Sequence, residues 1–252
     1  MGKNIVLITQ ARLGSSRFPR KIFKKINNKY LLEIHLNRLN SCKMIDKIIV
    51  ATTDLYEDNK IEEKCKKWGF EVFKGSKDDV LDRFYKAAII SKANYVIRVT
   101  SDCPLIDSIL IDDIISYTLK NKLDYCSNTL VENYPDGQDI EVFSFNSLKT
   151  AWLDSKLLSE REHVTPYIKF NSTFYGKNKF KSDNYDCEKN YNHIRMTVDE
   201  KIDLKIIEIL IKKLGTDKRW FDYANFIEKN NINLNQSIIR NEGYLKSIKN
   251  EK

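Results

Sequence analysis

The run Ile5-Val6-Leu7-Ile8-Thr9, followed by Gln10-Ala11-Arg12-Leu13-Gly14-Ser15-Ser16-Arg17-Phe18-Pro19-Arg20-Lys21, decides how the rest of the chain is read. The first five residues are apolar and β-branched, the pattern of a buried strand. The next twelve form a loop with one glycine, two serines and four cations: Arg12, Arg17, Arg20 and Lys21. A small-residue loop leaving a strand end turns several backbone N–H groups toward an anion, and its cations neutralise charge. Polyphosphate fits that description. A solvated basic turn is the plainer reading of the loop taken alone.

Composition sets the bounds. The chain has 252 residues, 42% apolar and 31% charged, enough for one large domain with a real core. Eight glycines and four prolines leave little room for a linker or a low-complexity tract. The net charge of +8 favours acidic ligands, although lysine is spread along the whole chain. Cys42, Cys65, Cys103, Cys126 and Cys187 form no CxxC pair and no Cys/His cluster, which argues against zinc and against a disulfide framework. With no secretory leader in the sequence, that pattern predicts a cytoplasmic protein. No apolar run approaches the ~18 residues that a membrane span requires, so no membrane insertion is expected.

Past the loop, apolar positions recur at helical spacing over 30–42, 58–68, 79–91 and 108–119. Short apolar runs at 47–52, 70–73, 94–99 and near Tyr125 alternate with them. Strand and helix in turn predict βαβ units, hence an α/β domain spanning 1–252 with a mostly parallel sheet. The second half is less regular. A strand is expected at 139–145, helices over 146–153 and within 156–170, a strand at 193–198, and helices over 202–214 and 220–229. Residues 171–191 read as a dimerisation arm or hairpin, and 236–252 as a basic tail or helix.

Ligands of parallel sheets bind outside the carboxyl ends of the strands. Three polar segments follow three strands here: the loop 10–21, Thr52-Thr53-Asp54, and Thr100-Ser101-Asp102. After Gly14 the next glycine is Gly69, so both GxGxxG and GxxxxGK[ST] are excluded. What remains is a phosphate site built mainly from Arg and Lys side chains. Asp102 and Asp199 each end an apolar strand run, and two such carboxylates suit Mg2+, which binds one or two carboxylates plus phosphate oxygens. Each aspartate also reads as a turn or helix-capping residue.

These residues resemble a known family. Ala11 to Lys21 is similar to the ARxGSxRxPxK signature of CTP-dependent cytidylyltransferases that activate Kdo and sialic acids, and more closely to the spore-coat-polysaccharide (SpsF-like) branch. The resemblance extends through Val50-Ala51-Thr52-Thr53-Asp54, Asp79-Val80-Leu81-Asp82-Arg83-Phe84, Arg98-Val99-Thr100-Ser101-Asp102-Cys103-Pro104-Leu105 and Asp136-Gly137-Gln138-Asp139-Ile140-Glu141-Val142-Phe143. Glu160-Arg161-Glu162-His163-Val164-Thr165-Pro166-Tyr167 and Arg195-Met196-Thr197-Val198-Asp199 complete it. It implies a three-layer nucleotidyltransferase fold (Rossmann-like, GT-A-like) with a mixed, mainly parallel sheet.

The implied reaction is Mg2+-dependent transfer of CMP from CTP to an acidic sugar acceptor, releasing pyrophosphate for surface polysaccharide or glycoconjugate synthesis. Arg12, Ser15, Arg17 and Lys21 would hold the triphosphate, with the backbone of Ala11 and Gly14 near the base. Thr53 and Arg83 would touch cytosine, and Asp102 and Asp199 would bind the metal. Arg12, Arg17, Lys21 and Asp102 are the implied catalytic set. Asp136, Glu141, Arg161, Glu162 and His163 would face the acceptor. Plainer readings stay open: His163 as a structural histidine, Arg83 paired with Asp79 one helical turn away, Asp136-Gly137 as a turn. A homodimer is the implied assembly, and no nucleic-acid partner is expected. Two rivals remain: a nucleotide-sugar glycosyltransferase of similar fold, and a basic nucleic-acid-binding domain.

Overall fold

Side-chain alternation gives the central strands two apolar faces. In β1 (Ile5–Gln10), Ile5 and Leu7 enter one core layer while Val6 and Ile8 enter the other. A strand buried on both faces needs helices on both sides, and the chain supplies them. The computed structural model describes residues 3–232, 240–249 and 251.

After β1 and its loop come a short hairpin, β2 (Lys25–Ile26) and β3 (Lys29–Tyr30), then α1 (Leu31–Leu39) and β4 (Lys47–Thr53). Next are α2 (Asn59–Lys67), β5 (Glu71–Gly75), α3 (Val80–Ile90), β6 (Tyr95–Thr100) and α4 (Ser108–Lys120). The second half contributes β7 (Tyr125–Ser127), β8 (Glu141–Ser144), α5 (Phe145–Asp154), α6 (Leu158–His163), α7 (Pro166–Phe170) and β9 (Ser182–Asn184). Three helices follow: α8 (Lys201–Leu214), α9 (Trp220–Lys229) and α10 (Glu242–Lys249). Polar side chains fix several starts: Asp79 accepts the Asp82 N–H at 2.9 Å before α3, and Asp107 accepts the Ile109 N–H at 2.9 Å before α4.

The seven-stranded sheet runs β5-β4-β1-β6-β8-β7-β9. Only β8 runs against its neighbours; the other pairings in it are parallel. Helices α1, α2, α4, α8 and α9 cover one face, and α3, α5 and α7 the other. The architecture is thus the three-layer α/β fold with a mixed, mainly parallel sheet. The chain leaves β1 toward β4 and β5, then returns to β6 on the other flank of β1. Loops after β1 and β6 therefore diverge and open a crevice at the carboxyl ends, the usual ligand position in such sheets.

Two segments differ from expectation. Residues 193–198 make no strand. Ile194, Met196 and Val198 are buried alternately, which is why the run looked like one. Its backbone instead docks on a turn and a loop: Met196 N–H to Asp136 O at 2.6 Å, Val198 N–H to Asp102 O at 2.8 Å. Gly137 (φ 102°) makes room, since a Cβ there would stand 2.6 Å from Met196 C and Thr197 N. Residues 171–191 do not project as an arm. Phe180 is buried, and β9 pairs parallel with β7 as the edge strand. Of the tail 236–252, α10 is described; residues 236–239, 250 and 252 lie outside the described residues.

Candidate active site

The loop 10–21 is pinned from beneath. Ala11, Leu13 and Phe18 are buried, while Arg12, Ser16 and Arg17 between them are exposed. The Leu13 N–H donates to Asp58 Oδ1 at 2.8 Å, and the Arg20 N–H donates to Leu13 O at 3.0 Å. Arg20 takes a left-handed conformation (φ 56°), which turns the chain so that Lys21 points inward. A solvated basic turn would not be anchored this way.

Lys21 meets both aspartates singled out in the sequence. Its Nζ lies 2.8 Å from Asp102 Oδ2 and 2.8 Å from Asp199 Oδ1. Burial alone would lower the Lys21 pKa, but the two carboxylates outweigh it and hold the ammonium charged. Burial alone would raise that of Asp102, but Lys21 outweighs it and holds Asp102 well below the usual carboxylate range. Asp199 also accepts from Arg17 at 2.8 Å and from Arg195 at 2.8 Å. Helix capping at α8 falls to Asp203, which takes the Asp199 and Glu200 N–H groups at 2.9 and 2.8 Å. Asp199 is thereby left to bind cations.

A cavity of about 480 Å3 opens over this centre, walled by Ala11, Arg12, Ser15, Arg17, Lys21, Arg83 and Asp102 among others. Arg83 is 2% exposed, and its Nε and Nη1 have no hydrogen-bond partner among the described residues. It does not pair with Asp79, whose carboxylate goes to Arg161 Nε at 3.0 Å and to the Asp82 N–H. Burial, and then the Arg12 guanidinium, push the Arg83 pKa down to about 10, so it still carries its charge at neutral pH. Gly75 gives it space, since a Cβ there would meet Arg83 Cγ at 2.7 Å. A buried guanidinium without a carboxylate is costly unless something else supplies acceptors.

A second cavity of about 270 Å3 adjoins the first and shares Gln10, Arg17, Asp102, His163 and Asp199 with it. Asp136 and Glu141 stand in its wall. Strand register sets Arg98 opposite Glu141, and the two form an ion pair. Glu141 also accepts Tyr125 Oη at 2.7 Å and Thr165 Oγ1 at 2.6 Å, so its oxygens are already used within the protein. Asp136 is paired with Arg195. His163 Nε2 is buried without a hydrogen-bond partner among the described residues. Burial, then the Arg98 charge, lower its pKa to about 4, leaving a neutral imidazole at the junction of the cavities. Val164 behind it adopts φ 72° and ψ −55°, a tight turn closed by the Thr165 N–H on His163 O at 2.8 Å. Such a conformation costs a β-branched residue about 1–3 kcal/mol and persists where the surroundings demand it.

Four expected site residues are placed elsewhere or differently. Thr53 is fully buried, its hydroxyl donating to Asp58, so it anchors the loop from below and does not reach a base. Arg161 turns away to Asp79 and to Trp152 O at 2.8 Å, tying α6 to the start of α3. Gly14 lies on the exposed rim, outside the cavity wall. Glu162 lines the larger cavity only, not the smaller one. Sequence reasoning missed Asp58, which holds the loop, and Arg98, Arg195, Tyr244 and Lys246 in the cavity walls. It also missed His35, buried beneath the β6 loop: Nδ1–H donates to Cys103 O at 2.9 Å, and Nε2 accepts from Thr9 Oγ1 at 2.9 Å. Arg98 and Arg195 stand inside recognisable motifs, but the carboxylates they pair with lie up to 59 residues away.

The cationic loop, the paired aspartates and the switch-point crevice of a mostly parallel sheet fit a nucleotidyltransferase. A model of the cytidylyltransferase family matches residues 6–239. The chain is 39% identical to an uncharacterised protein of Methanocaldococcus jannaschii, over 95% of this chain and 97% of that one. It is 33% identical to the spore coat polysaccharide biosynthesis protein SpsF of Bacillus subtilis, over 84% of this chain and 88% of that one. A solved cytidylyltransferase from Leptospira borgpetersenii superposes with a TM-score of 0.87 at 32% identity, covering 95% of this chain and all of that one. The chain belongs to the cytidylyltransferase family, and it is a CTP-dependent nucleotidyltransferase. No described helix is long and apolar enough to cross a membrane, and all five cysteines are free.

Proposed function

We propose that CTP binds in the larger cavity and an acidic sugar in the smaller one, and that an acceptor hydroxyl attacks the α-phosphate in line as pyrophosphate leaves. The observation that carries this reading is Arg83, a buried guanidinium with no carboxylate partner among the described residues, in the wall of the cavity that the cationic loop also lines. Cytosine presents O2 and N3 as adjacent acceptors, which suit a guanidinium fork, whereas uracil turns an N3–H toward it. Arg12, Arg17 and Lys21 neutralise charge on the α-phosphate and the leaving pyrophosphate, and positioning does most of the rest.

Asp102 and Asp199 form an all-oxygen pair on one ammonium, a donor set that fits Mg2+. Among the described residues no group of three or more His, Cys, Asp or Glu side chains could hold a metal, so the ion would lean on substrate phosphates as well. When bound, it supplies charge neutralisation at the phosphates. Ser15 lines the phosphate side, and the His163 ring stands where the two cavities meet. In the smaller cavity Asp136 and Glu141 fix Arg195 and Arg98, the cations an acidic acceptor would meet, while Lys169 has no carboxylate partner among the described residues. We further read the enzyme as a cytoplasmic homodimer that does not act on nucleic acid.

The test is pyrophosphate release from CTP and Mg2+ against acidic sugars, sugar phosphates and polyols. Release with a sugar acid and none with polyols supports the reading. Release that needs no sugar acid, or the use of UDP-sugars without any pyrophosphate, contradicts it.

A further inference from the structure

Helix α10 begins after the family match at 6–239 ends, yet it walls both cavities. Glu242, Gly243, Lys246 and Ser247 line the larger one; Glu242 and Tyr244 also face the smaller. Its attachments are few. None of its residues is buried. Tyr244 packs edge-on against His163 with ring centroids 5.1 Å apart, and Glu251 accepts the Ser159 N–H and Oγ at 2.6 and 2.7 Å. Ahead of the helix, Arg240 holds Asp139 and Tyr134 O. An element fixed by polar bonds and one ring contact opens at low free-energy cost compared with the core.

Glu242 carries the argument. Its Oε2 lies 3.4 Å from Arg17 Nη1, and its Oε1 lies 2.6 Å from Lys246 Nζ. One cation comes from the phosphate loop and the other from α10, and one carboxylate serves both at the edge of the larger cavity. Carboxylate and phosphate oxygens satisfy guanidinium and ammonium donors in the same way. A triphosphate seated on Arg17 therefore competes with Glu242 for the same donors.

We propose that α10 is a displaceable lid in which Glu242 stands in for a phosphate group. An entering triphosphate takes Arg17 from Glu242 and, with that tie lost, releases the helix. Glu242 thereby sets the threshold for nucleotide entry. This rests on reading the larger cavity as the triphosphate site.

The test titrates CTP and inorganic tripolyphosphate into the full chain by calorimetry at fixed ionic strength. The proteins are wild type, Glu242→Gln, Arg17→Ala and the double variant. Glu242 is partly exposed, so the glutamine variant keeps its fold, which circular dichroism verifies. The partly exposed Arg17–Glu242 pair is worth a few-fold in binding, so Glu242→Gln is expected to tighten both ligands about 2- to 5-fold. In the Arg17→Ala background that gain should shrink at least twofold. Hydrogen exchange across 242–249 should rise when tripolyphosphate is added to wild type. If wild type binds CTP but Glu242→Gln binds no tighter and exchange does not change, the lid is overturned while the nucleotide reading stands. If neither protein binds CTP or tripolyphosphate, both are overturned.

Discussion

Replacing Thr53 by valine separates the structural role of that residue from the base contact its motif implies. The side chain is fully buried, and its hydroxyl donates to Asp58, whose other oxygen takes the Leu13 N–H at 2.8 Å. Valine keeps the shape and removes the donor. A hydrogen bond to a charged group contributes about 1.5–3 kcal/mol, and the buried carboxylate oxygen is left short of a partner. The Leu55 N–H also loses its acceptor, Thr53 Oγ1 at 3.2 Å. We expect a loss of about 2 kcal/mol, read as a lower urea midpoint at unchanged m. For a chain of this length that corresponds to roughly 4–8 °C in Tm. The ratio of kcat/KM for CTP over UTP should not move, because no part of Thr53 reaches the cavity. An unchanged midpoint together with a collapsed CTP/UTP ratio would refute this placement and restore the base contact.

Three further outcomes follow from the geometry. Arg83→Met should stabilise the fold by about 1–2 kcal/mol, since it removes buried donors without partners, while weakening CTP at least tenfold; a destabilised variant with normal CTP affinity would make Arg83 an ordinary core residue. His35 is fully buried, and burial lowers its pKa to about 4. The unfolded chain binds the proton first, so stability is complete above about pH 6.5 and falls by roughly 3 kcal/mol as pH drops from there to about 4. Urea midpoints across that window should show the slope, and NMR titration of the ring should place its midpoint near the lower end. Asp58→Ala should cost about 2–5 kcal/mol by orphaning the Leu13 N–H and the Thr53 hydroxyl, and CTP affinity should fall with it as the loop loosens; an unfolding midpoint equal to wild type would show that the loop does not depend on this anchor.

Much of the fold could be read locally. Val6, Leu7 and Ile8 alternate between two layers because both faces of a central strand are covered, and the polar strand ends mark one edge of the sheet. Lys21 and Asp102 were legible from the strands they follow, whereas Asp199 was singled out through a strand that the chain does not form. What failed depended on partners that no spacing rule announces. Arg161 finds Asp79 across 82 positions, and Thr53 is claimed by Asp58 in the turn that follows it. The run 193–198 had strand periodicity, but its hydrogen-bond partners turned out to be a turn and a loop. The contribution of α10 was hidden because its amphipathic pattern gives no sign of which cavity it covers.

The most direct test of the account concerns Lys21, the cation between the two aspartates. Single-turnover formation of pyrophosphate and CMP-sugar should be measured for wild type, Lys21→Ala and Asp102→Ala, with circular dichroism confirming that each is folded. The account predicts equimolar products from wild type and a loss of at least 100-fold in each variant, about 3 kcal/mol or more of transition-state stabilisation. Near-wild-type turnover by a folded Lys21→Ala enzyme would contradict it.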